Sequence, residues 1–368
     1  MKQSISSRLL SASAAAFTVA TLLTACNSNT DPTPTGPYTN GIFVLNAGNF
    51  LDNNGSLSWM TRNGKTAETD LFQTRNRRPL TGGVRGYVEA GNRGLILVDN
   101  SSTGLDKVEI VTTDSLKSVK TLASPDIENP RYAARINDTK VYVTCWGTTG
   151  GTNFYGAAGY VAVIDLTTNT VTKKIPVQRG AEGITIVGNE AYIGGVGGDK
   201  LVQIMDTQTD AIKTSLSVAS SISKLLPDAN NKLWGFSGKN VVRIDPTSKT
   251  IEATILVGTD TRKSPSNLTA SADKRSFYFM YTFYDQADNF NQKGEMYRFN
   301  ITDATISTAT PTVNRLFSGL GLDPSANVLY AGFSPSYKQA GYVFRYQPTG
   351  QLIDSVRVEI APSDFYFK

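Results

Sequence analysis

The sequence predicts an all-β fold: a seven-bladed β-propeller with four-stranded blades, its ring closed by the C-terminal strand joining the first blade. Three observations lead to this prediction. A strand–turn–strand motif recurs along the chain, each recurrence follows two further apolar strands, and the last strand has no partner in its own repeat. Short strands recurring with a period in the forties are typical of propellers.

The clearest motif is VIDLTTNTVTKKI, residues 163–175. An apolar strand leads into Asp165, a polar turn follows, and a second strand begins near Val171, which is the pattern of a β-hairpin. Aspartate suits the turn because its carboxylate accepts hydrogen bonds from nearby backbone N–H groups. Copies surround Asp206 (IMDTQTDAIKTSL) and Asp245 (RIDPTSKTIEATI), and each has apolar residues six and ten positions after the Asp.

Four weaker copies keep the six-residue step without the aspartate. The seven anchors lie at positions 61, 113, 165, 206, 245, 300 and 347, at intervals of 52, 52, 41, 39, 55 and 47 residues. Seven anchors predict seven blades. The first copy lacks an innermost strand because its apolar run begins directly at Gly41-Ile42. The unpartnered strand at 363–367 can fill that place, and such closure removes open sheet edges.

The N-terminus has the features of a secretion signal over residues 1–25. Lys2 and Arg8 precede a short apolar run that ends in Leu-Thr-Ala-Cys, and the run is too short for a membrane span. This ending resembles the bacterial lipobox, which implies cleavage before Cys26 and lipidation of Cys26. An ordinary signal peptide with an incidental cysteine is the alternative. Residues 26–40 are polar and Pro-rich and are predicted to form a tether, and residues 41–368 form the propeller.

Composition excludes several kinds of chemistry. The chain has no histidine, which excludes Ser-His-Asp and Cys-His nucleophilic sites and every His-ligated metal site. The formal charge is +5 and falls to +3 once Lys2 and Arg8 are removed with the signal. Only one tight basic cluster is present, at 75–78, so we expect no nucleic-acid partner. Cys145 is interpreted as a small buried hydrophobe.

No cofactor is expected, and a metal ion is only weakly indicated. Asp285, Asp288, Asn289 and Asn291 could offer oxygen ligands to Ca²⁺. Their spacing is not that of an EF-hand loop. A solvated polar loop is the alternative interpretation.

The candidate binding site lies on one face of the disc. We call the strands of a blade A to D from the inside outwards. Because the chain reverses at every strand, the B–C and D–A loops share a face. Four B–C loops are long and aromatic, and loops of this length on a rigid scaffold are more often functional than idle. Aromatic and arginine side chains supply most of the energy in recognition sites. The predicted ligand-binding residues are Trp146, Phe154, Tyr155, Tyr284, Phe290, Tyr337, Arg77, Arg131, Arg179 and Arg315. The alternative is that these aromatic residues pack against their own loops.

The Asp-anchored repeats resemble the YncE/YVTN class of bacterial β-propellers over roughly residues 84–368. The opening segment GIFVLNAGNFLDNNGSLSWM, residues 41–60, resembles the surface-propeller lipoproteins of Bacteroidota, with Ala47 where Glu is usual. One branch of that group, BtuG, captures cobalamin and passes it to a TonB-dependent transporter. The resemblance implies an outer-membrane lipoprotein, facing either the cell surface or the periplasm, with a corrinoid as a candidate ligand.

Three functions follow as hypotheses. The first is a non-enzymatic binding lipoprotein, a nutrient-capture subunit beside a TonB-dependent transporter and otherwise a monomer. The second is a lactonase-like propeller hydrolase, which would need a carboxylate cluster holding a divalent ion. The third is a protein-interaction scaffold without a small ligand, which a flat apolar loop face would favour.

Overall fold

The computed structural model describes residues 36–149 and 154–368, and both the signal sequence and Cys26 lie outside them. The described chain forms seven antiparallel sheets, one per blade. None of its described helices is long and apolar enough to span a membrane. The predicted fold class and number of blades are confirmed.

The first half of the chain builds blades 1 to 4. The strands and the helix follow one another in this order: β1 (Ile42–Asn46), β2 (Ser56–Met60) and α1 (Leu71–Asn76) in blade 1 and its exit; β3 (Gly83–Ala90), β4 (Arg93–Asp99), β5 (Lys107–Thr112) and β6 (Ser118–Ala123) in blade 2; β7 (Pro130–Arg135), β8 (Lys140–Cys145), β9 (Gly159–Asp165) and β10 (Thr170–Val177) in blade 3; β11 (Ala181–Val187), β12 (Glu190–Gly195), β13 (Leu201–Asp206) and β14 (Ala211–Ser217) in blade 4.

The second half builds blades 5 to 7 and closes the ring. Its strands are β15 (Leu226–Pro227), β16 (Leu233–Ser237), β17 (Asn240–Asp245) and β18 (Thr250–Leu256) in blade 5; β19 (Ser264–Ala270), β20 (Ser276–Asp285) and β21 (Asn291–Asn300) in blade 6, with a 3₁₀ turn at Gln286–Asp288; β22 (Gly319–Asp323), β23 (Val328–Phe333), β24 (Tyr342–Tyr346) and β25 (Leu352–Arg357) in blade 7; and β26 (Pro362–Phe367).

The last strand completes the first blade. β26 pairs antiparallel with β1, so that Val44 lies opposite Phe365 and Ile42 opposite Phe367. The sheet order is β2-β1-β26, which places the C-terminal strand innermost. The predicted closure is confirmed.

The prediction of four strands in every blade is wrong for blades 1 and 6, which have three. In each, the outer strand is reduced to a single bridge, Glu68 opposite Trp59 in blade 1 and Val313 opposite Met296 in blade 6. The outer segment of blade 1 is almost wholly polar, and that of blade 6 contains Pro311. Neither offers the alternating apolar pattern that a strand needs, and proline cannot donate to a ladder.

The core is divided among the blade junctions. Seven hydrophobic clusters are present among the described residues, and each joins two successive blades. Strand β8 shows why the apolar runs are continuous: Val141 and Val143 face blade 2, whereas Tyr142 faces blade 4. A strand that is buried on both faces needs no polar alternation. Cys145 is fully buried in the same wall, as predicted.

Tyrosines on strand B link neighbouring blades through the repeat motif. Tyr142, Tyr192 and Tyr278 each donate to the backbone carbonyl that follows the anchor of the next blade. The acceptors are Thr207, Pro246 and Pro348, at 3.3, 3.0 and 3.0 Å respectively. The anchor carboxylates of Asp206 and Asp245 hold the turns by accepting backbone N–H bonds at 2.9 and 2.8 Å. The motif therefore shapes a turn and presents a carbonyl to the blade beside it.

The packed body begins before residue 41. Tyr38 lies within the predicted tether, yet it is fully buried. Its ring lies 5.6 Å from Phe43 and 5.4 Å from Trp59, measured between centroids. Arg75, on the helix that follows blade 1, donates to its hydroxyl at 2.8 Å.

Candidate ligand-binding site

The B–C and D–A loops meet on one face of the disc, which we call the loop face. Backbone hydrogen bonds join them, from Ala47 to Ala361 at 2.8 Å and from Val196 to Gly180 at 2.9 Å. The first bond connects the B–C loop of blade 1 to the segment entering β26, and the second is the equivalent contact in blade 4. This is the face on which the predicted site residues were expected.

A central channel opens at the axis of the propeller, with a cavity of about 450 Å³. Residues from the innermost segments of all seven blades line it. Its ionisable lining residues are Arg85, Arg131, Tyr132, Glu182, Lys224 and Asp364. Only Arg131 among these was predicted as a site residue.

β-bulges in the innermost strands turn these side chains inwards. The pairing register shifts between Val84 and Gly86, between Pro130 and Ala133, and between Ala181 and Ile184. The residues left unpaired include Arg85, Arg131 with Tyr132, and Glu182. A bulge places an extra residue on one strand and redirects its side chain. The same irregularity therefore supplies a channel-lining polar group in three successive blades.

The charged groups near the channel mouth are paired with one another. Asp99 Oδ2 accepts from Arg85 Nε at 2.8 Å and from Arg131 Nη1 at 2.9 Å. Arg131 Nε lies 3.4 Å from Glu182 Oε2. The Asp99 side chain is only 3% exposed, so its charge depends on these two guanidinium groups. Burial raises the pKa of Glu182 above its usual value, although Arg131 and Trp146 act in the opposite direction.

An aromatic cluster adjoins this network. Arg131 lies over the Trp146 ring, with its guanidinium carbon 3.7 Å from the ring centroid. The Trp146 Nε1 donates to Glu182 Oε2 at 2.7 Å. Phe154 and Tyr155 meet the indole edge-on at 5.7 and 5.0 Å. Four of the predicted residues, from blade 3, are thus brought together beside the channel. These rings pack on one another, while Phe154 stays 48% exposed, and their binding of a ligand stays a prediction.

Arg179 adjoins this cluster but is bound elsewhere. Its Nε donates to Asp199 Oδ1 at 2.8 Å. The next residue, Gly180, has a φ of +59° and packs so tightly that an added Cβ would lie 3.1 Å from the Tyr155 ring. In this turn Gly180 packs against Tyr155, whereas the Arg179 side chain binds Asp199.

Three predicted aromatic residues are exposed on other parts of the loop face: Tyr284 at 68%, Phe290 at 63% and Tyr337 at 59%. Tyr284 and Phe290 lie at the end of a long hairpin, because β20 and β21 continue their pairing to Asp285 and Asn291. The predicted long loop of blade 6 is therefore mostly strand.

Tyr337 borders a second cavity of about 420 Å³ together with Phe50 and Leu51. That cavity shares Arg85, Ser318 and Ser363 with the channel lining. The two cavities therefore meet, and the exposed aromatic residues of blades 1 and 7 border the channel mouth.

The two remaining arginines do not join the channel mouth. Arg315 lies over Phe344, 4.6 Å from the ring centroid, and over Phe333. Arg77 caps α1 with a left-handed backbone. Its neighbour Asn76 donates to Leu116 O at 2.9 Å, in the C–D turn of blade 2, on the opposite face. Placing Arg77 on the loop face was wrong, because a helix carries the long blade 1–2 connection past the outer strands.

The candidate Ca²⁺ loop satisfies its own polar groups. Asp285 accepts from Ala287 N at 3.1 Å, Asn291 donates to Asp288 at 3.2 Å, and Lys293 pairs with Asp288. Over 36–149 and 154–368, no group of three or more cysteine or acidic side chains is placed to hold a metal ion.

Sequence reasoning missed Arg85, Asp99, Glu182, Lys224 and Asp364. A usable signal was present, because Arg85, Arg131, Glu182 and Asp364 each stand near the start of an otherwise apolar innermost strand. Charges at one end of buried strands that meet on an axis indicate a lined channel.

The fold is similar to that of several solved propellers. A quinonprotein alcohol dehydrogenase-like protein from Bacteroides thetaiotaomicron matches with a TM-score of 0.66 and 15% identity, over 90% of this chain and 78% of that one. Hydrazine synthase from Kuenenia stuttgartiensis matches with a TM-score of 0.53 and 15% identity, over 71% and 76%. The Pan2 WD40 domain of Neurospora crassa matches with a TM-score of 0.53 and 12% identity, over 77% and 81%. At such identities the likeness shows the fold alone.

No curated protein matches this sequence. The family match covers nearly the whole propeller, from residue 40 to residue 367. The chain belongs to the DUF5074 family, described as a domain of unknown function.

Proposed function

We propose that this protein is a non-enzymatic, membrane-anchored lipoprotein whose loop face captures a ligand or partner at the mouth of the central channel. The observation that carries the proposal is the Arg131–Trp146–Glu182 arrangement. An indole is held between a guanidinium at 3.7 Å and a carboxylate at 2.7 Å, with an exposed phenyl ring beside it. Aromatic and arginine side chains fixed by their neighbours around a concave polar opening are typical of recognition sites.

The surroundings of this arrangement support capture of a large amphipathic molecule. Phe50 and Tyr337 flank the adjoining cavity, and Arg85 lies 6.0 Å from the Phe50 ring centroid. Apolar area at the rim and hydrogen-bonding groups at the centre fit a ligand with an apolar body and polar substituents. A lactonase-like hydrolase would need a carboxylate cluster that holds a divalent ion, and the described residues form none.

We further propose a nutrient-capture role on an outer membrane, with a cobalamin-type ligand and a TonB-dependent transporter as partner. The support is the opening segment that resembles Bacteroidota surface propellers. Its polar residues shape the loop of blade 1: Asn46 donates to Ser58 Oγ at 2.9 Å, and Asn54 Oδ1 accepts from Asn49 N at 2.7 Å. The loop thus formed presents Phe50 and Leu51 at the loop face.

The test is a binding screen on the full-length protein by thermal shift and calorimetry. Cobalamins, other corrinoids, haem, glycans and Ca²⁺ are the probes. A tight corrinoid signal would support the capture role. A response to none of the small molecules would contradict it, and pull-down of a membrane partner would then favour a scaffold.

A variant pair locates the site of any ligand that the screen identifies. The triple change Trp146→Ala, Tyr155→Ala and Tyr284→Ala removes loop-face rings and should abolish binding. Leu352→Ala removes an exposed apolar side chain from the outer strand β25 and should leave binding unchanged. Binding that survives the triple change would place the site elsewhere.

A further inference from the structure

The hydrogen-bonding groups of the channel divide into a paired set and an unpaired set. At the mouth, Arg85 and Arg131 are bound to Asp99 and Glu182. Lys224 and Tyr132 also line the cavity. Neither the Lys224 ammonium nor the Tyr132 hydroxyl forms a hydrogen bond or ion pair with another residue in the described ranges. These two groups are open to a ligand.

Lys224 and Tyr132 come from different blades and converge. The Lys224 Nζ lies 5.3 Å from the centroid of the Tyr132 ring. Lys224 precedes β15 in blade 5, whereas Tyr132 is on the bulge of β7 in blade 3. The backbone of Lys224 packs so closely on blade 4 that a Cβ added to Gly183 would meet its Cα at 2.9 Å. The backbone of Lys224 is therefore held in place by its packing on blade 4.

Both groups are donors at neutral pH. Burial raises the pKa of Tyr132, and Lys224 only partly offsets this, so the phenol keeps its proton. Burial disfavours the charged form of Lys224, whereas the nearby Asp364 carboxylate favours it and acts to raise the pKa of Lys224. The Asp364 carboxylate therefore favours the ammonium form of Lys224.

Several donors along the channel have no partner among the described residues, and Asp99 Oδ1 beside them is a buried acceptor without one. Arg85 uses only Nε, and Arg131 uses Nε and Nη1, so each keeps N–H groups unbound. Lys224 adds three N–H donors and Tyr132 one O–H. On the acceptor side, Asp364 Oδ1 already accepts from Phe365 N at 2.9 Å. A group that pairs with the free donors must bring acceptor oxygens.

We propose that the channel binds an oxyanion, a carboxylate or phosphate group, at the Lys224 ammonium with Tyr132 as a second donor. This inference rests on the proposed function, since it names the group that the captured ligand inserts while its body stays at the mouth. The ionisable side chains around the channel are balanced in sign, so the selection comes from directed donors and not from a general positive field. Charge-assisted bonds of this kind are about twice as strong as neutral ones.

The experiment measures binding of small probes to the full-length protein by calorimetry. Inorganic phosphate and succinate are the two oxyanions, and succinamide is the neutral analogue. We expect one or both oxyanions to bind and succinamide not to bind. Lys224→Met, which removes the charge and keeps a similar length, should weaken oxyanion binding at least about tenfold. Lys224→Arg keeps the positive charge and should bind the oxyanions with an affinity within roughly threefold of that of the unmodified protein.

A control lysine and a second readout keep the test decisive. Lys120 is exposed on the outer strand β6, and Lys120→Met should bind oxyanions like the unmodified protein. In the unmodified protein, phosphate or succinate should slow acetylation of Lys224 by acetic anhydride but leave that of Lys120 unchanged, as followed by mass spectrometry. This second readout does not depend on whether Lys224→Met folds.

Each outcome decides the proposal. Stronger binding of phosphate than of succinate would identify a phosphate group on the ligand, and the reverse a carboxylate. Absence of binding and of protection at Lys224, or equal binding by Lys224→Met, would overturn the oxyanion site. The screen of larger ligands decides the proposed function separately, because the small probes need no contact with the aromatic rim.

Discussion

Trp146 donates its indole N–H to Glu182 Oε2 at 2.7 Å, while Arg131 covers the face of the same ring. The tryptophan belongs to a B–C loop of blade 3, and the carboxylate belongs to the innermost strand of blade 4. A loop side chain is therefore fixed by a strand of the neighbouring blade before any ligand arrives. Fixing a contact residue in advance lowers the entropy that binding must remove.

Replacing Glu182 by Ala should release this arrangement. Trp146 and Arg131 would each lose an acceptor in a partly buried position. We therefore expect the free energy of unfolding to fall by about 1–3 kcal/mol. Urea unfolding followed by circular dichroism measures this change. Glu252→Ala is the control, because Glu252 lies on the outer strand β18 and pairs with the half-exposed Lys232 and Arg243, and its loss should cost less than about 1 kcal/mol. If both variants lose the same free energy of unfolding, the contact between Glu182 and Trp146 does not stabilise the protein.

The tyrosine links between blades make a second prediction. Tyr278 donates to Pro348 O at 3.0 Å across the junction of blades 6 and 7. Tyr278→Phe should cost about 1–2 kcal/mol, since it leaves a partly buried carbonyl without its donor. Tyr337→Phe, at an exposed position, should unfold at the same urea concentration as the unmodified protein. A Tyr278→Phe midpoint that does not move would indicate that water replaces the link.

The repeat could be predicted because its residues act locally. Asp165, Asp206 and Asp245 accept from backbone N–H groups two residues ahead, so their effect is visible in a few neighbouring positions. The turns of Asp206 and Asp245 also present carbonyls to tyrosines of the preceding blades, and that use could not be predicted because the partners are more than fifty residues away. Ring closure could be predicted because one strand was left without a partner.

The charged lining of the channel could not be predicted from alternation. Arg131 and Tyr132 are consecutive, yet both line the cavity, because the bulge in β7 breaks the alternation of sides. The loop face was predicted from strand direction, but the partners of its side chains were not. Arg179 and Arg315 were expected to be open to a ligand, whereas Asp199 and the Phe344 ring hold them.

Ring closure gives a third prediction, centred on Phe365. This side chain is buried between the first and last blades, 5.9 Å from the Tyr330 ring. Phe365→Ala should destabilise the protein by about 3–5 kcal/mol through lost burial and a cavity. Phe290→Ala removes the same side chain at an exposed position and should change stability by less than about 0.5 kcal/mol. If the two variants unfold alike in urea, closure through β26 is not a main source of stability.

The motif aspartates give a prediction for acid. The Thr247 backbone N–H and the Lys232 ammonium lower the pKa of Asp245 to about 2, at contact distances of 2.8 and 3.0 Å. A carboxyl whose pKa is lower in the folded state binds fewer protons there than in the unfolded chain. Its contribution is therefore complete above its ordinary pKa of 3.8 and is lost as the pH falls through about 2.

Asp245→Asn should consequently be less stable than the unmodified protein near neutral pH, because the amide cannot form the ion pair. The difference should narrow as the pH falls below about 4, because the unfolded chain then takes up a proton that folded Asp245 binds only near pH 2. Urea unfolding of both proteins at several pH values between 7 and 3 measures the gap. If the difference in unfolding free energy between the two proteins stays constant from pH 7 to pH 3, the charge of Asp245 does not contribute to the stability of the repeat.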